Sequence, residues 1–348
     1  MTSDILFERR GAAGVVTLNR QQALNAVTHE MVRALRAALE DWAQDEAITR
    51  VVITAAPGRA FSAGGDIRAL TDLGKAGKYD EAVAFWRDEY PLNAYIKSYP
   101  KPYIALIDGI VMGGGVGVSL HGSHRVAGER YLFAMPEVGI GFFPDVGATY
   151  ALPRLPGETG MYLALTGERV KRADAVMLGL ATHSVASAGI PALRDALIAG
   201  EPVDEALARA AADPGPAPLE AHRAMIDACF SAESVAAVMQ RLDEAAAAGS
   251  DFAAKTAAGM RTKSPTSMNL AFEQVRRGAS LDFEEAMKVE FRIVSRIGDG
   301  HDFYEGVRAV IVDKDNQPRW QPASLDHVER AAIEHHFASL GPHELEIA

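Results

Sequence analysis

Three segments of the 348-residue chain hold residue types that could do chemistry. The first is Gly58-Arg59-Ala60-Phe61-Ser62-Ala63-Gly64-Gly65-Asp66-Ile67, where paired glycines precede an aspartate. The second is Asp108-Gly109-Ile110-Val111-Met112-Gly113-Gly114-Gly115, a glycine-dense turn. Backbone without side chains lets a ligand oxygen approach free N–H groups, so both segments are candidate donors to an oxyanion. The third runs from Phe133 to Gly147 and sets two carboxylates, Glu137 and Asp145, among Met, Phe, Ile and Val. Each segment alone has a plainer explanation: a glycine turn after a strand is usually a turn, and a carboxylate before an apolar run is often a helix cap. Together they match acyl transfer, with oxyanion donors and acid–base groups whose pKa burial can raise.

Other chemistries fail on spacing. The cluster Met112–Gly117 fits no G-x-G-x-x-G register, and the chain has no G-x-x-x-x-G-K-[ST] phosphate loop. There is no G-x-S-x-G elbow, although Ser119 and His121 lie near the glycines, and no H-E-x-x-H. His335 and His336 are adjacent, which puts their rings on different sides of a helix and suits a solvated face. His301-Asp302 would suit a serine-type hydrolase, but no activated serine accompanies it, so packing is the better explanation.

The elements that must position these segments alternate along the first half. Gly14–Leu18, Val51–Ala55 and Pro102–Ile107 are strand-like, and the last two lead directly into the two glycine segments. Between them, Thr28 is a candidate N-cap for a helix with Met31, Leu35, Leu39 and Trp42 on one face. This alternation predicts βαβ units and a mostly parallel sheet. Residues 158–290 are rich in Ala, Leu, Glu and Arg and read as helices, interrupted by the breaker Asp213–Pro218.

Composition bounds the rest. At roughly 150 residues per domain the length allows about two domains. One cysteine, Cys229, excludes an internal disulfide framework and a cysteine-based zinc site, and no metal is expected. A formal charge of −11 disfavours nucleic acid as a partner while leaving room for a local basic pocket. No apolar run approaches the roughly 20 residues that span a bilayer, so no membrane partner is expected. The N-terminal residues have neither a signal-peptide core nor a transit-peptide composition, and the expected location is cytoplasmic.

The three segments closely resemble the crotonase (enoyl-CoA hydratase/isomerase) superfamily. Leu18-Asn19-Arg20-Gln21-Gln22-Ala23-Leu24-Asn25-Ala26 is similar to its N-terminal signature, Phe61–Ile67 to its first oxyanion loop, and Lys101-Pro102 through Gly115 to its second. The resemblance implies an α/β fold, a crotonase-like spiral of ββα units forming a CoA-binding catalytic core over residues 1–190. A mainly helical C-terminal region follows over 191–348. Crotonase relatives commonly form trimers, so a homo-oligomer is within what the resemblance allows, and the long C-terminal part leaves the state open.

Departures from the hydratase pattern point to a subfamily. Hydratases carry one catalytic glutamate two positions after the Gly-Gly-Gly stretch, where this chain has Gly117, and carry glycine where it has Asp145. Glu137 matches the other catalytic glutamate. This pattern is similar to the 3-hydroxyisobutyryl-CoA hydrolases, as are Phe142–Gly147, Leu163–Gly167, Ser264–Ser267 and the tail from Gly300 through Trp320. The resemblance then implies hydrolysis of a short 3-hydroxyacyl-CoA thioester in valine breakdown. The backbone N–H groups of Gly65 and Gly114 would form the oxyanion hole, and Glu137 would act as nucleophile or as base for water. Asp145 would position the substrate hydroxyl or the water, or shuttle a proton. Glu89 matches a substrate-contacting position, with a solvated helix carboxylate as the even alternative. The CoA moiety would lie along Ala23, Leu24, Ala26, Ala63, Gly64 and Asp66, with Arg20, Arg59 and Arg68 as candidates for its phosphates. No separate cofactor is expected, since CoA enters as part of the substrate. The competing readings are an enoyl-CoA hydratase or isomerase, and a catalytically silent CoA-binding protein.

Overall fold

The computed structural model describes residues 3–347. They gather into two compact units: residues up to Asp66, Asp88–Ala134 and Arg169–Pro218 form the first, and Ile67–Arg87, Met135–Glu168 and the chain from Leu219 onward form the second.

The first unit holds the strands β1 (Ile5–Arg10), β2 (Ala13–Leu18), β3 (Arg50–Ala55), β4 (Ala60–Ser62), β5 (Tyr103–Ile107), β6 (Ile110–Met112), β7 (His124–Ala127), β8 (Leu132–Ala134), β9 (Val170–Lys171) and β10 (His183–Ser184). The larger sheet runs β1-β2-β3-β5-β7-β10, and the smaller runs β4-β6-β8-β9. Pairing is antiparallel at β1–β2 and β8–β9 and parallel elsewhere. The successive pairs β3/β4, β5/β6 and β7/β8 each give one strand to the larger sheet and the next to the smaller, with helix following β4 and β6 in the chain. This is the α/β spiral of ββα units.

The residues explain the order. All of β5 and the first four residues of β3 are buried, as parallel strands covered on both faces require. At the sheet edge, β1 exposes Glu8, Arg9 and Arg10, charges that oppose pairing with another chain. Leu193, Leu197, Ala206 and Leu207, from helices Ile190–Ala199 and Val203–Ala210, pack with Ala13, Val52, Ile104 and Val126 in one core.

The helix His29–Gln44 starts where Thr28 caps it, the Met31 N–H donating to Thr28 Oγ1 at 3.2 Å. It buries Met31, Val32, Leu35, Leu39 and Trp42. Trp42 packs against β2, and a Cβ at Gly14 would sit 2.2 Å from its ring. Gly14→Ala therefore displaces a buried indole and should destabilise the protein by about 1–3 kcal/mol, read as a lowered midpoint in denaturant with an unchanged slope.

The second unit is mainly helical. Ser234, Ser250, Ser264 and Asp282 each cap a helix by accepting an N–H three residues on. After Ser264, Pro265 occupies the first helical turn, where its missing N–H costs nothing. Phe142 anchors an aromatic cluster, stacked on Trp86 at 5.8 Å and close to Phe143 and Phe303 at 4.8 and 5.1 Å. Among the described residues no helix is long and apolar enough to cross a membrane.

Candidate active site

The smaller sheet explains why the two glycine segments meet. Strands β4 and β6 pair in parallel, Ala60 opposite Ile110 and Ser62 opposite Val111, so the loops that follow them leave the sheet side by side. In the first loop Val27 forms a parallel bridge with Gly65. The Val27 N–H donates to Gly64 O at 2.8 Å, and Val27 O accepts from the Asp66 N–H at 2.9 Å. Gly65's own N–H is thereby turned away from Val27.

In the second loop Gly114 opens a one-turn helix, Gly114–Gly117. The carbonyl before it, Gly113 O, already accepts from Val116 and Gly117, and the first N–H groups of a turn have no acceptor within it. A Cβ at Gly114 would lie 2.9 Å from Glu89 Oε1 and 3.2 Å from Gly65 N. The structure thus brings Gly65, Gly114 and Glu89 together. Glu89 is 1 % exposed, so it is not a solvated helix carboxylate. Glycine is also required nearby: Gly64 has φ +125, and a Cβ at Gly115 would meet Ser62 O at 2.6 Å. Gly117 is buried within the same turn and offers no side chain.

The segments read as CoA-binding are neighbours as well. The Ala63 N–H donates to Leu24 O at 3.0 Å, laying Ala23–Ala26 beside Ala63–Asp66. Leu24 and Asn25 are both left-handed, φ +51 and +56, a costly conformation that needs support. Asn25 supplies it, its Oδ1 accepting from the Arg20 N–H at 2.8 Å and its Nδ2 donating to Ala60 O at 3.1 Å. The Arg20 guanidinium holds Asp66 at 2.8 Å and Ala26 O at 3.2 Å, with Asp4 at 3.4 Å. Arg20 is therefore committed to clamping this loop, whereas Arg59 and Arg68 are exposed.

The carboxylates belong to the second unit. Glu137 begins the 3-10 turn Glu137–Ile140, and the turn is tied down by the Ser264 N–H, which donates to Val138 O at 3.1 Å. Glu137 is 6 % exposed, and its Oε2 has no hydrogen-bond partner among the described residues. Burial raises its carboxyl well above 4.5, and the nearby Asp145 charge raises it further. Asp145 is itself 5 % exposed. It precedes Val146 and Gly147, both left-handed at φ +53 and +92.

A third carboxylate escaped the sequence reading. Glu290, on the helix Phe283–Ile297, is fully buried, and burial together with Asp145 pushes its pKa up to about 8. The available signal was a glutamate inside an apolar stripe: Phe283, Met287, Val294 and Ile297 share its helical spacing. Elsewhere in this unit, Asp302 accepts from Ser264 Oγ at 2.6 Å and from the Gln321 N–H at 2.7 Å, so it ties the tail to a helix cap.

The Glu137 shift makes stability depend on pH. The unfolded chain loses this proton near 4.5, while the folded protein keeps it to higher pH. Stability from this group is complete below pH 4.5 and is lost as pH rises toward the folded value. Glutamine does not titrate, so the melting temperature of Glu137→Gln should gain on wild type as pH rises from 4.5, and parallel curves would contradict this.

A family model described as enoyl-CoA hydratase/isomerase matches residues 13–337. A 3-hydroxyisobutyryl-CoA hydrolase, mitochondrial, of Xenopus tropicalis is 46 % identical over 354 residues, covering 99 % of this chain and 91 % of the relative. A crystal structure described as a carnitinyl-CoA dehydratase from Mycobacterium thermoresistibile has TM-score 0.94 and 42 % identity, covering 99 % of both chains. One described as an enoyl-CoA hydratase from Rhodobacter sphaeroides has TM-score 0.91 and 38 % identity, covering 99 % of this chain and 100 % of the other.

Proposed function

This chain belongs to the enoyl-CoA hydratase/isomerase family, and from that premise we propose that it hydrolyses the thioester of 3-hydroxyisobutyryl-CoA to the free acid and CoA, a step of valine breakdown. The observation that carries the proposal is the carboxylate pair: Glu137 buried and raised, Asp145 acting on it, and glycine at 117 where a hydratase needs its second glutamate. 3-Hydroxypropionyl-CoA has the same 3-hydroxyl and is proposed as a second substrate.

In this reading the Gly65 and Gly114 N–H groups donate to the thioester oxygen as it gains negative charge, each such donor contributing about 3–4 kcal/mol. Glu137, made more basic by burial, attacks the carbonyl carbon; the C–S bond breaks, CoA leaves as its thiolate, and water hydrolyses the resulting mixed anhydride to free acid and regenerated Glu137. In the alternative route Glu137 takes a proton from the water that attacks the carbonyl, and that proton passes to the CoA sulfur as the C–S bond breaks. Hydroxylamine added during turnover separates the routes when the protein itself is read by mass, since only the anhydride route converts Glu137 to its hydroxamate. Asp145 accepts the substrate's 3-hydroxyl, Glu89 contacts the acyl part beside Gly114, and the segments Ala23–Ala26 and Ala63–Asp66 carry CoA. No cofactor takes part, since CoA arrives within the substrate. The proposed location is cytoplasmic, whereas the hydrolase relative is named as mitochondrial, and cell fractionation decides between them.

The names of the two solved structures favour a second reading, hydration of an enoyl-CoA. Gly117 opposes it, because glycine neither takes nor gives a proton. The test is free-thiol release across a panel of short acyl-CoAs: 3-hydroxyacyl esters should turn over and their unsubstituted counterparts should lag by orders of magnitude. A flat panel would remove the assigned substrate class.

A further inference from the structure

The segment Pro144–Thr149 is held in an unfavourable conformation. Val146 is β-branched yet left-handed at φ +53, and Gly147 follows at φ +92. A β-branched residue in that region is a genuine outlier, and such strain persists only where the surroundings over-determine it.

Two buried side chains do the holding. Glu290 accepts the Gly147 N–H on Oε2 at 2.8 Å and the Thr149 N–H on Oε1 at 2.9 Å. Gln274, on the helix Pro265–Gly278, donates through Nε2 to Thr149 Oγ1 at 2.7 Å and also to Pro144 O. That helix comes so close that a Cβ at Gly278 would stand 1.9 Å from Thr149 O. The segment is therefore gripped on both sides of Asp145, at Pro144 and at Gly147.

A carboxyl is a costly choice at a fully buried position unless its function demands it. The charge that acts on Glu290 is Asp145, of the same sign, so ion pairing does not explain the choice. The bonding does: a carboxyl accepts two N–H groups, one on each oxygen, whereas glutamine would turn its own NH₂ against one of them.

We propose that Glu290, with Gln274 opposite, is the positioning residue that fixes Asp145 for reading the substrate's 3-hydroxyl. This rests on the role given to Asp145 above. The strain at Val146 sets the direction in which the Asp145 carboxylate leaves the chain, and the grip keeps it there. Loosening the grip leaves Asp145 present but misplaced, and a misplacement of about 1 Å costs up to about 100-fold.

The test compares wild type, Glu290→Gln, Gln274→Met and Asp145→Asn for kcat/KM on 3-hydroxyisobutyryl-CoA and isobutyryl-CoA. The readout is the ratio between the two substrates. Partial unfolding lowers both numbers together and leaves that ratio unmoved. Glu290→Gln should lower the ratio about tenfold or more, Gln274→Met should lower it in the same direction, and Glu290→Gln should add nothing in an Asp145→Asn background. If Asp145→Asn collapses the ratio while folded Glu290→Gln and Gln274→Met keep the wild-type value, positioning is overturned and the Asp145 assignment stands. If Asp145→Asn leaves the ratio unchanged, the Asp145 assignment falls and takes the inference with it. Should Glu290→Gln fail to fold, Gln274→Met decides.

Discussion

Glu137→Gln should abolish thioester hydrolysis, lowering kcat by about 10⁴-fold, the upper end of what a proton-transfer group contributes. The amide keeps the volume and the buried position, so folding and CoA-ester binding should persist. What is lost is chemical: an amide neither attacks a thioester carbonyl nor takes a proton from water. The Glu137 environment argues that this loss is the whole effect. The side chain is 6 % exposed, its Oε2 has no partner among the described residues, and both burial and Asp145 raise its basicity. A structural carboxylate would be bonded on both oxygens, as Glu290 is. Stopped assays on a folded, ligand-binding variant check the prediction, and a near-normal rate would move the chemistry to another group.

Asp145→Gly, which installs the residue that hydratases carry, should erase the preference for 3-hydroxyacyl esters, by about 100-fold or more. A site built to bond a hydroxyl rejects analogues without one because its own polar group is then left unpaired and buried. Asp145 is 5 % exposed, so little water is at hand to replace a missing hydroxyl. The substitution has a second, electrostatic signature. Asp145 raises both Glu137 and Glu290, so its removal lowers both carboxyl pKa values, and the acid limb of the kcat/KM profile should move to lower pH. Competition between 3-hydroxyisobutyryl-CoA and isobutyryl-CoA over a pH series reads both effects at once. An unchanged preference would show that Asp145 does not read the hydroxyl.

Much of the first unit could be read from the residues. Val51–Ala55 and Pro102–Ile107 are legible because parallel strands buried on both faces run apolar without alternation, and Thr28 announces its helix by capping chemistry. The smaller sheet is not legible. Its strands Ala60–Ser62 and Ile110–Met112 are three residues long and embedded in the glycine segments, too short for any period to show. Yet their pairing is what sets Gly65 beside Gly114. Glu137 and Asp145 stood out because carboxylates in an apolar run are conspicuous. Glu290 did not, because a helix that opens with Glu284 and Glu285 makes a third glutamate look like one more solvated charge. Arg20 read as a candidate for the CoA phosphates because its partner Asp66 is distant in sequence and meets it only through the fold.

The central claim, that this member of a hydratase family is a hydrolase, is tested most directly by following two signals on one preparation. Crotonyl-CoA and 3-hydroxyisobutyryl-CoA are presented in turn, with loss of the enoyl absorbance and release of free thiol recorded together. With Gly117 in place of a second glutamate, hydration should lie about 10²–10⁴-fold below that of a two-glutamate enzyme, while thiol release from the hydroxyacyl ester is efficient. Rapid loss of the enoyl absorbance with no thiol released from 3-hydroxyisobutyryl-CoA would contradict the account and establish hydration in its place.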